Sequence, residues 1–452
     1  MHKRSWLAFG LTVLVLGLVA LLVARQLARM GYLPRAVRLT ADPAPTSVPL
    51  PTATAGASLE APSVVPSATP SPDTPEDGTP SPAATPARET SPDTPSPISE
   101  GAPTRVVPPP EPLLLPDGFG ISVFAEGLSG PRMMTVGPGG ALYLAERGAN
   151  RIVRLPDRDA DGVADRVEVV AGDLSSPSSL AFHPDGTLYV GEPARVLRLT
   201  LAGDPLLSVD REIVVDGLPT GGHNTRTVLV SPDGTWLYVS VGSSCNVCDE
   251  DDARRASIVR YRPDGSEESL YAVGLRNAVG ITFRPGTSDL WATNNGRDWL
   301  GDDLPPETVY LVGQGDDAGW PRCHSGRIPD PEFGGEGACG GVITPVIELQ
   351  AHTAPLGLGF YTGLGFPEAY AGDLFVALHG SWNRSTPVGY KVVRVPIDGG
   401  RTGEVEDFVS GWLREDGSQW GRPVDVVTAA DGSLLVSDDG AGRIYRVFYA
   451  GQ

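Results

Sequence analysis

Six copies of one phrase run through the C-terminal three quarters of this 452-residue chain, and a repeat of that length leaves few folds open. Each copy reads as an apolar strand, a Gly/Asp turn, a second strand, a loop, and a third apolar strand that carries arginine in all copies but the fourth. The copies begin at Met133 (MMTVGPGGALYLAERGANRIVRL), Ser179 (SLAFHPDGTLYVGEPARVLRL) and Thr227 (TVLVSPDGTWLYVSVG, closed by SIVRY). They continue from Gly280 (GITFRPGTSDLWATNNG, closed by TVYLV), Gly357 (GLGFYTGLGFPEAYAGDLFVALHG, closed by KVVRV) and Val426 (VVTAADGSLLVSDDGAGRIYRV). Asp185-Gly186 and Asp233-Gly234 supply the positive φ that a tight hairpin demands. Runs that are fully apolar, or alternate apolar with polar, suit sheets stacked face to face. A repeat of about 50 residues in this pattern predicts an all-β, six-bladed β-propeller over residues 111–452. Ligands of propellers bind where loops converge on the central channel, so the long insertions 242–257 and 294–345 mark the expected working face.

The chain ahead of the repeats has another composition and another task. Residues 6–24 (WLAFGLTVLVLGLVALLVA) carry no charge. As a helix they would span roughly 28 Å, about the hydrocarbon thickness of a bilayer. No small-residue cleavage site follows, which favours an uncleaved signal anchor, a transmembrane helix within residues 1–41, over a removed signal peptide. Residues 42–110 hold 19 of the 44 prolines, with Thr, Ser and Ala between them and no aromatic residue. Such a segment cannot bury a core and reads as a disordered linker. A flexible coil of this length averages roughly 45 Å end to end, enough to hold a head off a membrane. Arg25, Arg29, Arg35 and Arg38 follow the span, and the positive-inside rule alone would keep the head inside. The stalk and the chemistry below argue the other way. The expectation is a single-pass cell-membrane protein with its head on the extracytoplasmic side.

The formal net charge is −20, and six basic residues without an acid in the first 41 leave −26 for the rest. A body this acidic repels nucleic acid and anionic lipid, and suits a neutral or cationic partner or a divalent metal. Cys245, Cys248, Cys323 and Cys339 permit three pairings. The gap between the last two is poor zinc-ligand spacing, and Asp249 stands where haem attachment needs histidine. In an oxidising compartment, local disulfides Cys245–Cys248 and Cys323–Cys339 are the expectation.

Several segments carry chemistry. His223, in GGHNTRTVLV, precedes an inner strand, and an imidazole of near-neutral pKa suits a general base taking a hydroxyl proton. Arg276 and Asn277 stand in GLRNAVG, and a guanidinium offers several fixed donors to an oxygen that gains negative charge. NNGRDWLGDDLPPE brings Gly296, Arg297, Asp298, Asp302 and Asp303 into one acidic loop, whose carbonyls and carboxylates suit Ca2+. DRDADGVAD sets Asp157, Asp159, Asp161 and Asp165 around Gly162, like half of a calcium loop without the bidentate glutamate of an EF-hand. Trp320, in DDAGWP, reads as a buried aromatic under the long insertion. His352, in HTAPLG, is either a pocket residue or a plain loop residue.

Opened by LPDGFGISVFAEGLSGPRMMTV and closed by GRPVDVV and SDDGAGRIYRV, these segments in this order resemble the soluble pyrroloquinoline-quinone (PQQ) glucose dehydrogenase family. The likeness is greatest to its aldose sugar and L-sorbosone dehydrogenase relatives and covers about residues 113–449. It implies an enzyme that oxidises a sugar or sugar aldehyde with PQQ and Ca2+, passing electrons to a membrane quinone or a soluble carrier. His223 would be the base and Arg276 would polarise the quinone, while Arg276 and Asn277 would contact PQQ. Gly296 and Arg297 would give carbonyl oxygens to the Ca2+ beside Asp298. Three positions depart from the family. His379, in FVALHG, stands where many relatives carry a PQQ-binding lysine, with Arg384 nearby as a substitute. Arg422 matches the first arginine of an Arg-x-Arg pair whose second position here is Val424. Ser244 stands where relatives carry a glutamine. Two other readings compete: a lactonase-like hydrolase with a carboxylate-held metal, and a non-enzymatic binding head, which the altered anchors keep open.

Overall fold

Each repeat becomes one antiparallel sheet, because its glycines take the left-handed backbone that the reversals need: φ is 91° at Gly186 and 73° at Gly234. The computed structural model describes residues 104–203 and 207–451, which form six such sheets around a channel. From the inner strand outwards, the first blade runs Pro131–Val136, Leu142–Glu146, Arg151–Leu155 and Glu168–Ala171. The inner strands of the next five are Ser179–Phe182, Val228–Val230, Ile281–Phe283, Pro355–Phe360 and Pro423–Thr428.

The segment ahead of the first repeat belongs to the last blade. Phe119–Ala125 is the outer strand of the sixth blade, paired with Arg443–Tyr449 so that Phe119 faces Tyr449. That pairing joins the two ends of the head, closes the ring and leaves no open blade. Residues just upstream are tied to it as well. Val123 N–H donates to the Val107 carbonyl at 2.7 Å, and Arg105 N–H to the Asp161 carbonyl at 2.7 Å.

The core lies between blades. The second strand of every blade, from Leu142–Glu146 to Leu434–Asp438, is buried along its whole length, since neighbouring sheets cover both faces. In three blades the arginine of the third strand has a structural cause. Arg154, Arg198 and Arg394 stand directly opposite Glu168, Glu212 and Glu406 on the outer strands, and each pair is an ion pair. Both expected disulfides are present, Cys245–Cys248 and Cys323–Cys339, with Cα–Cα distances of 6.3 and 5.2 Å. Among the described residues no helix is long and apolar enough to cross a membrane. The anchor expected in residues 1–41, and the linker of 42–110 up to residue 103, lie outside the described residues.

Candidate active site

The loops that lead into the inner strands form one mouth of the channel, and a repeated device pins them. The residue ending the second strand turns a buried polar side chain onto the main chain of that lead-in loop. Glu146 accepts from Ser129 N–H (2.7 Å), Glu192 from Ser175 (2.6 Å), Asn294 from Asn277 (3.1 Å) and Asp438 from Arg422 (2.7 Å). A buried acceptor side chain thereby finds a main-chain donor at four blades of the ring.

His223 is half-buried in this mouth. Its Nδ1 lies 2.9 Å from Ser243 Oγ and 3.2 Å from the Ser243 carbonyl. Ser243 Oγ gives its own proton to the Cys245 carbonyl at 2.7 Å. Nδ1 must therefore carry the imidazole proton, which leaves the Nε2 lone pair free. Two buried arginines hold the same loop by its carbonyls and form no ion pair among the described residues. Arg226 donates to His223 O (3.0 Å), Thr225 O (2.8 Å) and Pro219 O, and Arg255 to Gly221 O (2.9 Å), Gly242 O (3.2 Å) and Thr220 O. Burial, with the charges of Arg276, Arg255 and Arg226, pushes the His223 imidazole down to about 4, so it is neutral at pH 7. Gly242 permits the crowding: a Cβ there would stand 2.5 Å from His223 Cβ and 2.6 Å from Asn277 Oδ1.

The wall beside His223 is clamped. Arg276 is buried, its carbonyl accepts from Ser243 N–H (2.8 Å), and its guanidinium is largely committed. It donates to Asn246 O (2.9 Å), Asn246 Oδ1 (3.0 Å), Asp298 Oδ2 (2.8 Å) and Asn295 O (3.4 Å), which leaves one of its five N–H groups. Asn246 also grips Asp298 at both main-chain groups: its Oδ1 accepts from Asp298 N–H (2.7 Å) and its Nδ2 donates to Asp298 O (3.0 Å). Gly296 N–H donates to Glu307 at 2.6 Å, and burial pushes that carboxyl up to about 7 despite the bond and the Arg276 charge. The Arg297 side chain is turned into ion pairs with Asp330 (2.5 Å) and Glu332 (2.9 Å). Gly296 and Arg297 thus have main-chain carbonyls to offer a cation, and Asp298 one free carboxylate oxygen. Trp320 is buried as expected and donates to Asn246 O (3.3 Å).

The opposite wall is cationic. Asp439 bridges Arg132 Nη1 and His379 Nε2, each at 2.8 Å. Burial raises its carboxyl, but the His379 bond and the Arg132 charge outweigh this and hold it at about 2. Burial lowers the His379 imidazole in spite of Asp439, so it stays neutral. Arg422 donates to the His379 and Gly380 carbonyls (3.2 and 3.3 Å), and Arg147 to Asn224 Oδ1 (3.3 Å), next to His223.

Other predicted residues stand apart. Arg384 is committed to Asp302 O and Asp303 Oδ1, and Asp302 accepts from Ser385, so these groups lock two loops together instead of facing the cationic wall. His352 donates from Nε2 to Gly301 O (2.8 Å) as a brace on the same loop. Asp157, Asp159 and Asp165 bring one oxygen each within 4.8 Å of one another, in a turn at the far end of the first blade. Asp161 leaves that group and accepts from Val163 N–H at 2.8 Å.

A family model described as TrAA12-like matches residues 113–311 and 334–450. The chain belongs to the TrAA12-like family. This TrAA12-like chain is 38% identical over 231 residues to an uncharacterised protein of Borreliella burgdorferi, covering 50% of this chain and 61% of that one. It is 28% identical over 399 residues to the pyrroloquinoline quinone-dependent pyranose dehydrogenase of Coprinopsis cinerea, covering 73% of this chain and 54% of that protein. The holo PQQ domain of the C. cinerea pyranose dehydrogenase superposes with a TM-score of 0.65 at 26% identity, over 77% of this chain and 99% of that domain. The chain therefore spans only 61% and 54% of the length of these two curated relatives.

Sequence reasoning passed over Arg132, Arg147, Asp439, Asn246, Arg226 and Arg255 in this TrAA12-like head. Asn246 had a signal, since it lies between two cysteines three apart. Asp439 lies in the quoted segment SDDGAGRIYRV, but nothing local marks its pairing, because its partner Arg132 is 307 residues away.

Proposed function

We propose that this chain oxidises a sugar or sugar aldehyde, using PQQ with Ca2+ as the hydride acceptor. The observation that carries the reading is a neutral imidazole with a free Nε2, set among Arg132, Arg147, Arg276 and Arg422 in a chain of net charge −20. The residues fit the group. PQQ is a tricarboxylate, and among the described residues Arg132, Arg147 and Arg422 meet only Asp439 as an opposing charge. They answer the altered anchors: His379 is neutral and held by Asp439, so the positive charge comes from the first blade. Gly296 and Arg297 carbonyls with Asp298 would hold the Ca2+. When bound, PQQ supplies an ortho-quinone that accepts hydride, and Ca2+ polarises it. His223 Nε2 takes the proton of the substrate hydroxyl, and the one uncommitted N–H of Arg276 stabilises negative charge as it develops. The likeness to the C. cinerea enzyme supports the same chemistry.

Full-length protein in detergent, given PQQ and Ca2+, should reduce an artificial dye with an aldose or L-sorbosone as donor, and omission of either addition should abolish turnover. An unchanged PQQ spectrum and an unchanged Tm on adding both would overturn the reading.

The same reading puts the head outside the cytoplasm, on a single-pass anchor in residues 1–41 and a linker of residues 42–110, with a membrane quinone or soluble carrier as electron acceptor. Its support is the uncharged run 6–24 and two disulfides of a kind that persist in oxidising compartments. Protease added to intact cells should digest the head; full protection would place it inside.

A further inference from the structure

Seven tryptophans are described, and five are buried or half-buried. The other two, Trp299 and Trp382, are 67% and 66% exposed and meet each other, with ring centroids 5.2 Å apart and planes at 87°. An indole normally hides most of its large apolar area, so two exposed together need a cause.

Their backbones are fixed from both sides. Trp299 follows Asp298, which Asn246 and Arg276 clamp, and two residues later Gly301 O bonds His352. Its own φ is 71°, a left-handed conformation rare for a bulky side chain. Trp382 follows Gly380, whose N–H donates to Thr353 O (2.9 Å) and whose carbonyl accepts from Arg422. Arg384 and Ser385 then tie this loop to Asp302 and Asp303 of the other. Two perpendicular indoles therefore stand on a rigid corner at the rim of the mouth, one residue beyond the clamped wall and three beyond His379.

We propose that Trp299 and Trp382 form a subsite for a second, non-reacting sugar ring, so that the preferred substrate is the end of an oligosaccharide. A pyranose is flat, its C–H faces are apolar and its hydroxyls lie at the edge, which suits a corner of one aromatic face and one edge. The rim is polar: the Asp303 side chain beside Trp299 is exposed. Asp302 and Asp303 disfavour an anionic electron carrier at this corner. The proposal rests on the dehydrogenase reading for what happens at His223, but its binding step does not.

Two measurements test it on the full-length protein. With PQQ, Ca2+ and a small dye, kcat/KM for cello-, xylo- and mannotriose is compared with that for glucose, xylose and mannose. At least one trisaccharide should lead its monosaccharide by roughly tenfold or more, a ratio that falls towards one in Trp299→Ala and Trp382→Ala and partly returns in Trp382→Phe. Separately, the three alditols made by reducing those trisaccharides, which lack the oxidisable end, should quench tryptophan fluorescence of the native protein and not of the alanine variants. No quenching by any of them, or a ratio unchanged in the variants, would overturn the subsite. A change confined to the KM for the dye or a quinone would overturn it too, in favour of an acceptor site. Quenching without turnover of any sugar would keep the subsite and remove the dehydrogenase reading.

Discussion

The two ends of the central channel are lined by the same six strands yet are built on different principles. At the far end, Val136, Phe182, Val230, Phe283, Phe360 and Thr428 ring the opening, and the turns beyond them are held by bonds between residues two apart. Asp185 accepts from Thr187 N–H (2.8 Å), Asp233 from Thr235 (3.1 Å) and Asp431 from Ser433 (2.9 Å). At the mouth, bonds join residues far apart, such as Asn246 to Asp298, or Asp439 to Arg132. One end is held by local turn chemistry and serves folding. The other is held by long-range polar contacts that fix loops for chemistry, and it gathers arginines that folding alone does not require.

If the ends differ in this way, damage at the mouth should remove function and spare stability, and damage elsewhere in the channel should do the reverse. The largest effect is expected at His223. His223→Ala should lower kcat/KM by about 10²–10⁴-fold, with PQQ binding and Tm close to native values; a Tm loss in proportion to the activity loss would erase the distinction.

Asp425 tests the channel wall between the two ends. It is buried and accepts from Met134 N–H at 2.8 Å, and burial pushes its carboxyl from 3.8 up to about 7. A carboxyl with a raised folded pKa holds its proton in the fold after the unfolded chain has released it. Stability is therefore full below about pH 4 and declines as pH rises to about 7, at up to about 1.4 kcal/mol per pH unit. Asp425→Asn keeps the acceptor and should flatten that slope, as read by urea unfolding at pH 5 and pH 8. Glu307 at the mouth has the same direction, so part of the slope should remain.

Asn246→Ala should weaken Ca2+ binding by roughly 10–100-fold through Asp298 and Arg276, without touching the ion itself. Calcium titration followed by calorimetry checks it. The smallest effect is expected at a far-end turn. Gly234 has φ of 73°, and a Cβ there would meet His183 Nε2 at 2.7 Å, so Gly234→Ala should cost about 1 kcal/mol and leave kcat unchanged.

The same contrast explains what could be read in the chain. The blades were legible because glycine turns and apolar strand runs recur in every repeat, and in three of them an Arg stands opposite Glu168, Glu212 or Glu406. His223, Arg276, Asn277 and Gly296 were legible through their motifs, and the structure brings them to one mouth. Arg384 was misplaced because nothing in its own segment shows that Asp302 and Asp303, more than 80 residues earlier, would take up its donors.

The sequence by itself determined that this protein would be a six-bladed propeller, since local turns and periodic burial specify each blade independently of the others. Only the tertiary structure decided that Phe119–Ala125 closes the sixth blade, that Asn246 grips Asp298, and that Arg132 and Asp439 meet His379. Those contacts depend on closing the ring, which brings together residues that no local pattern relates.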